Sequence, residues 1–170
     1  LGMHYTSVPN IMKVIKPLFL DDLYEEFDKS IGNNKKLIKL TDRLSKIKIF
    51  DPACGSGNFL IIAFKELKRL EMEIFKELNS FTFSQITPSQ FYGIEIDDFA
   101  HEIAKLSLWL TEHQMNIEFF NEFQRVSPTL PLKKAGNITC ANATRIDWEE
   151  VCPKEQDDEI YVLGNPPYLG

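Results

Sequence analysis

Three observations predict an α/β fold: an open parallel sheet of about four strands, helices on both of its faces, and a helical lead-in. A short alternating run, Ile47-Lys48-Ile49-Phe50, passes straight into a turn of small residues, Asp51-Pro52-Ala53-Cys54-Gly55-Ser56-Gly57, and then into a long amphipathic stretch. Strand, glycine turn and helix in that order form the opening half of a βαβ unit. Further short apolar runs follow at Phe91–Ile94, Asn137–Cys140 and Glu159–Leu163, each reached through a helical pattern or a long connection. Connections that keep returning to a new strand in this way imply a parallel sheet with right-handed crossovers. The last run ends in Asn165-Pro166-Pro167-Tyr168. Two consecutive prolines cannot donate to a sheet ladder, so the strand stops there and releases a stiff loop at its carboxyl end, the side on which open α/β sheets bind ligands.

The lead-in precedes the first strand. Ser7 with Pro9 marks a helix start, and Ile11, Met12, Val14, Ile15, Leu18, Phe19, Leu23 and Phe27 recur at helical spacing, with Pro17 expected to break or restart the helix. Ile31-Gly32-Asn33-Asn34 reads as a turn, and Leu37 to Leu44 reads as a short third helix whose Leu37, Leu40 and Leu44 share one face. After the glycine turn, Asn58 is a candidate cap for a helix whose Leu60, Ala63, Phe64, Leu67, Leu70, Ile74 and Leu78 fall three or four residues apart. The second strand ends on Glu95-Ile96-Asp97-Asp98. Asp97 or Asp98 starts another helix, with Phe99, Ile103, Leu106 and Leu110 on one face and Ala100, Ala104 and Leu108 beside it. Residues 116–136 read as an insertion, with Pro128 and Pro131 in a loop. An acidic connection leads from the third strand to the fourth.

Composition narrows the function classes. At 170 residues, with 44% hydrophobic and 26% charged residues, the chain is about one domain with a core of its own. A net charge of −6 gives no overall attraction to a nucleic-acid backbone. The local basic run Lys35, Lys36, Lys39, Arg43, Lys46 and Lys48 reads as a solvated face. Cys54, Cys140 and Cys152 are an odd number without paired spacing, which argues against a disulfide framework and against a zinc site. His4, His101 and His113 show no pairing with Cys or Asp along the chain, so no metal site is expected. The longest apolar run, Phe59 to Phe64, is too short to span a bilayer, and a reducing cytoplasm fits the cysteine usage. The absence of an initiator methionine and the stop two residues after Tyr168 make the chain read as a fragment.

Several residues carry chemistry at the strand ends. Gly55 and Gly57 let backbone approach a ligand closely at the start of a helix, where free N–H groups receive a carboxylate. The turn departs from the dinucleotide pattern G-x-G-x-x-G, because Leu60 stands where the third glycine would be. Glu95, ending the second strand, is placed to accept both hydroxyls of a ribose, and capping of the next helix is the plainer role for Asp97 and Asp98. Asn142 after the third strand can accept from an adenine amino group and donate to a ring nitrogen. At the last loop, Asn165 offers an amide, Pro166 a carbonyl with no competing N–H, and Tyr168 a flat ring for stacking.

Taken together, Phe50-Asp51-Pro52-Ala53-Cys54-Gly55-Ser56-Gly57-Asn58-Phe59-Leu60, Tyr92-Gly93-Ile94-Glu95-Ile96-Asp97 and Asn165-Pro166-Pro167-Tyr168 resemble motifs I, II and IV of the S-adenosylmethionine-dependent DNA amino-methyltransferases. His4-Tyr5-Thr6 ahead of the glycine turn gives the order of the gamma group, which methylates the exocyclic nitrogen of adenine. Within that group the chain is most similar to the large type I and type IIG restriction-modification polypeptides. The resemblance implies a Rossmann-like class I methyltransferase sheet: a lead-in, residues 1–45, carrying a cofactor-contacting segment, and a partial S-adenosylmethionine-binding domain, residues 46–170. It implies that Tyr5 and Thr6 touch the methionine end of S-adenosyl-L-methionine and that Asp51, Ala53, Cys54, Gly55, Gly57, Asn58 and Phe59 cradle it. By the same likeness Glu95 with Ile96 holds the nucleoside, and Asn142 with Ala143 flanks the base at a position where many members of the wider family carry an acid. Asn165, Pro166, Pro167 and Tyr168 would be the catalytic loop, with DNA as the partner through parts outside this chain.

The chemistry of the loop agrees. An adenine amine is a weak nucleophile because its lone pair is delocalised, and a site accepting both N–H hydrogens draws the nitrogen towards tetrahedral geometry before it attacks a methyl group in line. The base must leave the duplex to reach such a loop. Two other classes stay open. Asn-Pro-Pro-Tyr is also similar to the loop of glutamine methyltransferases acting on release factors, which lack the Tyr5-Thr6 region, and a non-catalytic nucleotide-binding module remains the third.

Overall fold

The computed structural model describes residues 6–79, 84–124 and 136–166. Of the residues singled out above, His4, Tyr5, Pro128, Pro131, Pro167 and Tyr168 lie outside that set. The lead-in comprises α1 (Val8–Ile15), a π-helical turn (Lys16–Leu20), α2 (Asp21–Asp28) and α3 (Asn34–Ser45). The sheet follows as β1 (Ile47–Asp51), α4 (Asn58–Leu78), β2 (Phe91–Glu95), α5 (Asp98–Phe123), β3 (Asn137–Cys140), α6 (Trp148–Val151) and β4 (Glu159–Val162).

All strand pairs are parallel and the order is β3-β2-β1-β4. From β1 the chain steps through α4 to β2 and through α5 to β3. It then crosses back over the sheet, by way of α6, to the far side of β1. Right-handed crossovers in opposite directions put helices on opposite faces, so the order reverses between β1 and β4 and a crevice opens there at the carboxyl ends. The alternation along the strands matches. Ile47, Ile49 and Phe91 face the core shared with α4, α5 and the lead-in, where the Phe64 and Phe91 rings meet edge-on at 5.2 Å. Phe50, Tyr92 and Ile94 face a smaller cluster with Val151 and Cys152 around α6.

Four expectations need correction. Pro17 does not break the lead-in. The helix widens instead, the N–H of Asp21 reaching back five residues to the Lys16 carbonyl, which relieves the clash a proline ring makes with the preceding turn. The third helix begins before Leu37, because the Asn33 side chain accepts from the Lys36 N–H at 3.2 Å and caps it at Asn34. Residues 116–123 are not an insertion but the last turns of α5, where Phe119 and Phe123 pack on Phe75 of α4 at 6.4 and 6.5 Å. Finally, α5 turns its other face inward: Ala100, Ala104, Leu108 and Met115 are buried, whereas Phe99, Leu106 and Leu110 are exposed.

The last correction has a steric cause. A Cβ built on Gly57 would sit 3.4 Å from the Ala104 Cβ, so α5 lies at van der Waals range of the glycine turn and only small side chains fit between them. Replacing Ala104 with valine should therefore cost about 1–3 kcal/mol through overpacking, read as a lower urea midpoint with an unchanged m-value.

The basic run divides. Lys35, Lys36 and Lys39 are exposed, as a solvated face requires. Arg43, however, bonds Glu159 of β4 at 2.8 Å and Asp22 at 2.9 Å, and also Glu26, while Lys48 pairs with Asp158 at 2.7 Å. These cations fasten the lead-in and the acidic connection to the sheet.

Candidate active site

Parallel strands bring their following loops to one edge, and the candidate residues gather there. Asp51 ends β1 with 1% of its surface exposed. Its Oδ1 accepts the Ala53 N–H at 3.0 Å, but its buried Oδ2 has no hydrogen-bond partner among the described residues. Burial pushes its pKa up to about 7, the nearby Glu95 carboxylate adding to the rise and the Ala53 N–H opposing it. Gly164, just after β4, lies against this carboxylate. Its φ is +153°, and a Cβ there would approach within 3.1 Å of the Asp51 Cγ and closer still to Oδ1. Glycine is thus required both by conformation and by space.

The glycine turn is held from β2. Glu95 Oε2 accepts the Gly55 N–H at 2.9 Å and Oε1 accepts the Asp97 N–H at 2.8 Å, while the Cys54 N–H donates to the Ile94 carbonyl at 3.0 Å. Gly55 and Gly57 take φ of 54° and 84°. Gly57, not Asn58, occupies the cap position, and the first-turn N–H groups of Asn58, Phe59 and Leu60 are left without helical acceptors. Phe59 itself is a core side chain, so only its backbone can face a ligand. Cys54 is buried, and burial first, then the charges of Asp51 and Glu95, push its thiol far above the usual range, which makes it inert as a nucleophile. Its Sγ would be 2.8 Å from a Cβ at position 93, which accounts for Gly93 in β2.

Beyond Glu95, Ile96 and Phe99 are exposed by 67% and 71%, two apolar side chains at the carboxyl end of the sheet. Phe99 shares its helix face with Leu106 and Leu110, also exposed, while the alanine face of α5 is the one turned inward. Asp97 caps α5, accepting from the Ala100 N–H at 2.7 Å. Asn142 differs from expectation. Its Oδ1 already accepts the Thr144 N–H at 3.0 Å and the Thr144 hydroxyl at 2.8 Å, so what it can offer a base is its amide N–H. Ala143 is half-buried beside it and accepts from the Trp148 indole at 2.8 Å.

Asn165 and Pro166 are exposed in the loop that leaves β4 at the carboxyl edge of the sheet. The Asn165 Nδ2 donates to the Thr6 hydroxyl at 3.3 Å, a contact between residues 159 positions apart that joins the lead-in to the final loop. Asp51, Gly164, Asn165 and Thr6 therefore form one continuous edge, with Glu95 and the glycine turn next to it. Spacing along the chain did not reveal Gly164 as part of this set.

The protein-family model described as "MmeI, DNA-methyltransferase domain" matches residues 27–170. The chain is 61% identical over 176 aligned positions to DNA methyltransferase A of Bacillus subtilis (strain 168), covering all of this chain and 20% of that protein. It is 38% identical over 141 positions to a putative type II restriction enzyme and methyltransferase of Methanocaldococcus jannaschii, covering 76% of this chain and 11% of the relative. Among solved structures, the type IIL restriction-modification enzyme MmeI in complex with DNA superposes with a TM-score of 0.89 at 44% identity, over 98% of this chain and 23% of that one. The chain thus spans about a fifth of the length of the first of these relatives. Among the described residues, no helix is long and apolar enough to cross a membrane.

Proposed function

Because the chain belongs to the family of MmeI-type DNA-methyltransferase domains, we propose that it carries the S-adenosyl-L-methionine site and the catalytic loop of a restriction-modification methyltransferase acting on the exocyclic amine of adenine in DNA. One observation supports this most: the buried, unpartnered Oδ2 of Asp51 lies beside Gly164, at the root of the Asn165-Pro166 loop. A carboxylate oxygen without a donor is an unmet demand for a cation or an N–H. The α-ammonium of S-adenosylmethionine meets that demand, and the free N–H groups at the start of α4 suit its carboxylate. When bound, the cofactor supplies an electrophilic methyl group on a sulfonium.

The chain's own residues then divide the work. Gly55 and Gly57 leave room for the cofactor's backbone-facing side, Glu95 sets the turn and offers its remaining lone pairs to the ribose, and Ile96 with Phe99 gives the base an apolar surface. Asn142 is left to donate. Asn165, with Nδ2 turned to Thr6, presents Oδ1, and the Pro166 carbonyl presents a second acceptor, so that both hydrogens of an amine are held. Tyr5, Pro167 and Tyr168 complete the set by resemblance, the first beside Thr6 and the last as the stacking surface. Residues 1–45 supply Tyr5 and Thr6, and residues 46–170 supply the rest. The Thr6 to Asn165 contact favours this reading over the release-factor glutamine methyltransferases, whose likeness lacks the Tyr5-Thr6 region. Duplex DNA is the proposed partner, engaged mainly by other parts of a longer protein, given the net charge of −6 here.

The test is transfer of a labelled methyl group from S-adenosylmethionine to duplex DNA by the intact protein, followed by nucleoside analysis. N6-methyladenine is the expected product. Label in cytosine or in a release-factor glutamine would overturn the substrate, and no cofactor binding at all would favour the non-catalytic module. Glu95→Ala should weaken cofactor binding by about 1–3 kcal/mol in calorimetry, since it removes charge-assisted bonds and frees the Gly55 turn.

A further inference from the structure

A second cluster stands apart from that site. Asp98 and His101 sit in the first turn of α5, and β3 delivers Cys140 beside them, so that one ligand atom from each lies within 4.8 Å of the other two. Spacing along the chain hides this cluster, because Cys140 is far from His101 in sequence and joins it only through the pairing of β2 with β3.

The imidazole is the informative member. Its Nε2 is 3.1 Å from the Ile138 carbonyl oxygen. A carbonyl only accepts, so Nε2 carries the proton and, in the neutral ring, Nδ1 keeps its lone pair. Nδ1 is buried and has no hydrogen-bond partner among the described residues, on a residue only 9% exposed. The nearest charged group is another acceptor: Glu102 Oε1 is 3.2 Å from Nδ1, without hydrogen-bond geometry. The Asp98 carboxylate and the Cys140 thiol are the other two groups of the cluster. A lone pair buried beside a carboxylate takes a proton on the ring or, with the Asp98 and Cys140 groups at hand, a metal ion.

We propose that Asp98, His101 Nδ1 and Cys140 bind a divalent transition metal of the zinc class, with a fourth position open to solvent. Mixed oxygen, nitrogen and sulfur donors suit zinc or cobalt(II) and disfavour magnesium and calcium, which take oxygen alone. The bond from Nε2–H to a backbone carbonyl is the outer-shell contact that metal-binding histidines ordinarily make, fixing the tautomer that ligates. On binding, the Cys140 thiol gives its proton to solvent and the sulfur–metal bond forms, with no change of oxidation state. The metal would join the start of α5 to the end of β3, next to the Ala141 N–H that bonds the Glu95 carbonyl at 2.9 Å. It would stiffen one wall of the proposed nucleoside pocket while staying outside the chemistry.

Cobalt(II) titration of the metal-stripped intact protein, read by visible absorption, tests this. A thiolate-to-cobalt charge-transfer band should grow to saturation at one equivalent and vanish on addition of zinc. Cys140→Ser should abolish the band, and Asp98→Asn should weaken cobalt binding at least about tenfold. Both side chains are exposed, so neither variant endangers the fold. No thiolate band at saturating cobalt, or a band that persists in Cys140→Ser, would overturn the proposal. So would a His101 ring whose nitrogen shifts titrate with pH identically with and without zinc, which would identify the cation as a proton.

Discussion

Replacing Asn165 with alanine in the intact protein is expected to slow single-turnover methyl transfer by about 10²–10³-fold, the usual loss when one preorganised hydrogen-bonding group at a reacting centre is removed. Cofactor affinity should stay within about twofold, because the side chain is proposed to act on the amine, and interactions realised in the transition state appear in turnover and not in ground-state binding. The Nδ2 contact with Thr6 makes the amide directional, leaving Oδ1 to accept. Labelled transfer and cofactor titration on the same preparation decide the matter. Near-normal turnover would reduce the loop to a turn, and a parallel loss of affinity would mean the residue holds the cofactor instead.

Asp51 should govern both stability and cofactor affinity through pH. Burial pushes its pKa up to about 7 in the folded chain against 3.8 for a solvated aspartate, so the folded state holds a proton that the unfolded state has released across that window. The sign follows: the contribution of Asp51 to stability is complete below about pH 4 and is lost as pH rises to about 7, by roughly 3–5 kcal/mol. Asp51→Asn, neutral throughout, should lack this loss, so the two urea midpoints should separate in favour of the variant at pH 8 and converge at pH 4. Cofactor binding should respond in the opposite direction. Pairing with an ammonium requires the ionised carboxylate, so affinity should rise about tenfold per unit below pH 7 and level off above it, and Asp51→Asn should bind more weakly with a flat profile. Identical pH slopes in the two proteins would remove Asp51 from both roles.

The sheet was readable because each of its signals is local. An alternating run before a glycine turn, or a short apolar run before Pro-Pro, declares a strand and its end without reference to the rest of the chain. The orientation of α5 was not, since both of its faces carry apolar residues and the choice between Phe99, Leu106 and Leu110 on one side and Ala100, Ala104 and Leu108 on the other depends on how near the glycine turn lies. The π-helical turn escaped for a similar reason: proline announces a disturbance, but whether the helix breaks or widens depends on what α1 and α2 pack against. In the site, Asp51, Glu95 and Asn165 were recognisable as strand-end residues. The double occupation of the Asn142 oxygen and the closeness of Gly164 to Asp51 were not, because both depend on loop conformation and on two strands meeting side by side.

The contact of Ala104 with the glycine turn bears on how such proteins can be recombined. Gly57 and Ala104 are 47 positions apart, yet each limits the size of the other's neighbourhood. A chimaera that imports the Asp51–Gly57 loop from one relative and α5 from another would inherit two surfaces never fitted together, and since one methyl at position 57 would already stand in contact with Ala104, anything bulkier would press on the α4 start on which the loop rests. Loop and helix therefore constitute one exchangeable module, and crossover points placed before β1 and after α5 respect it, whereas a junction in the 79–90 connection cuts through it.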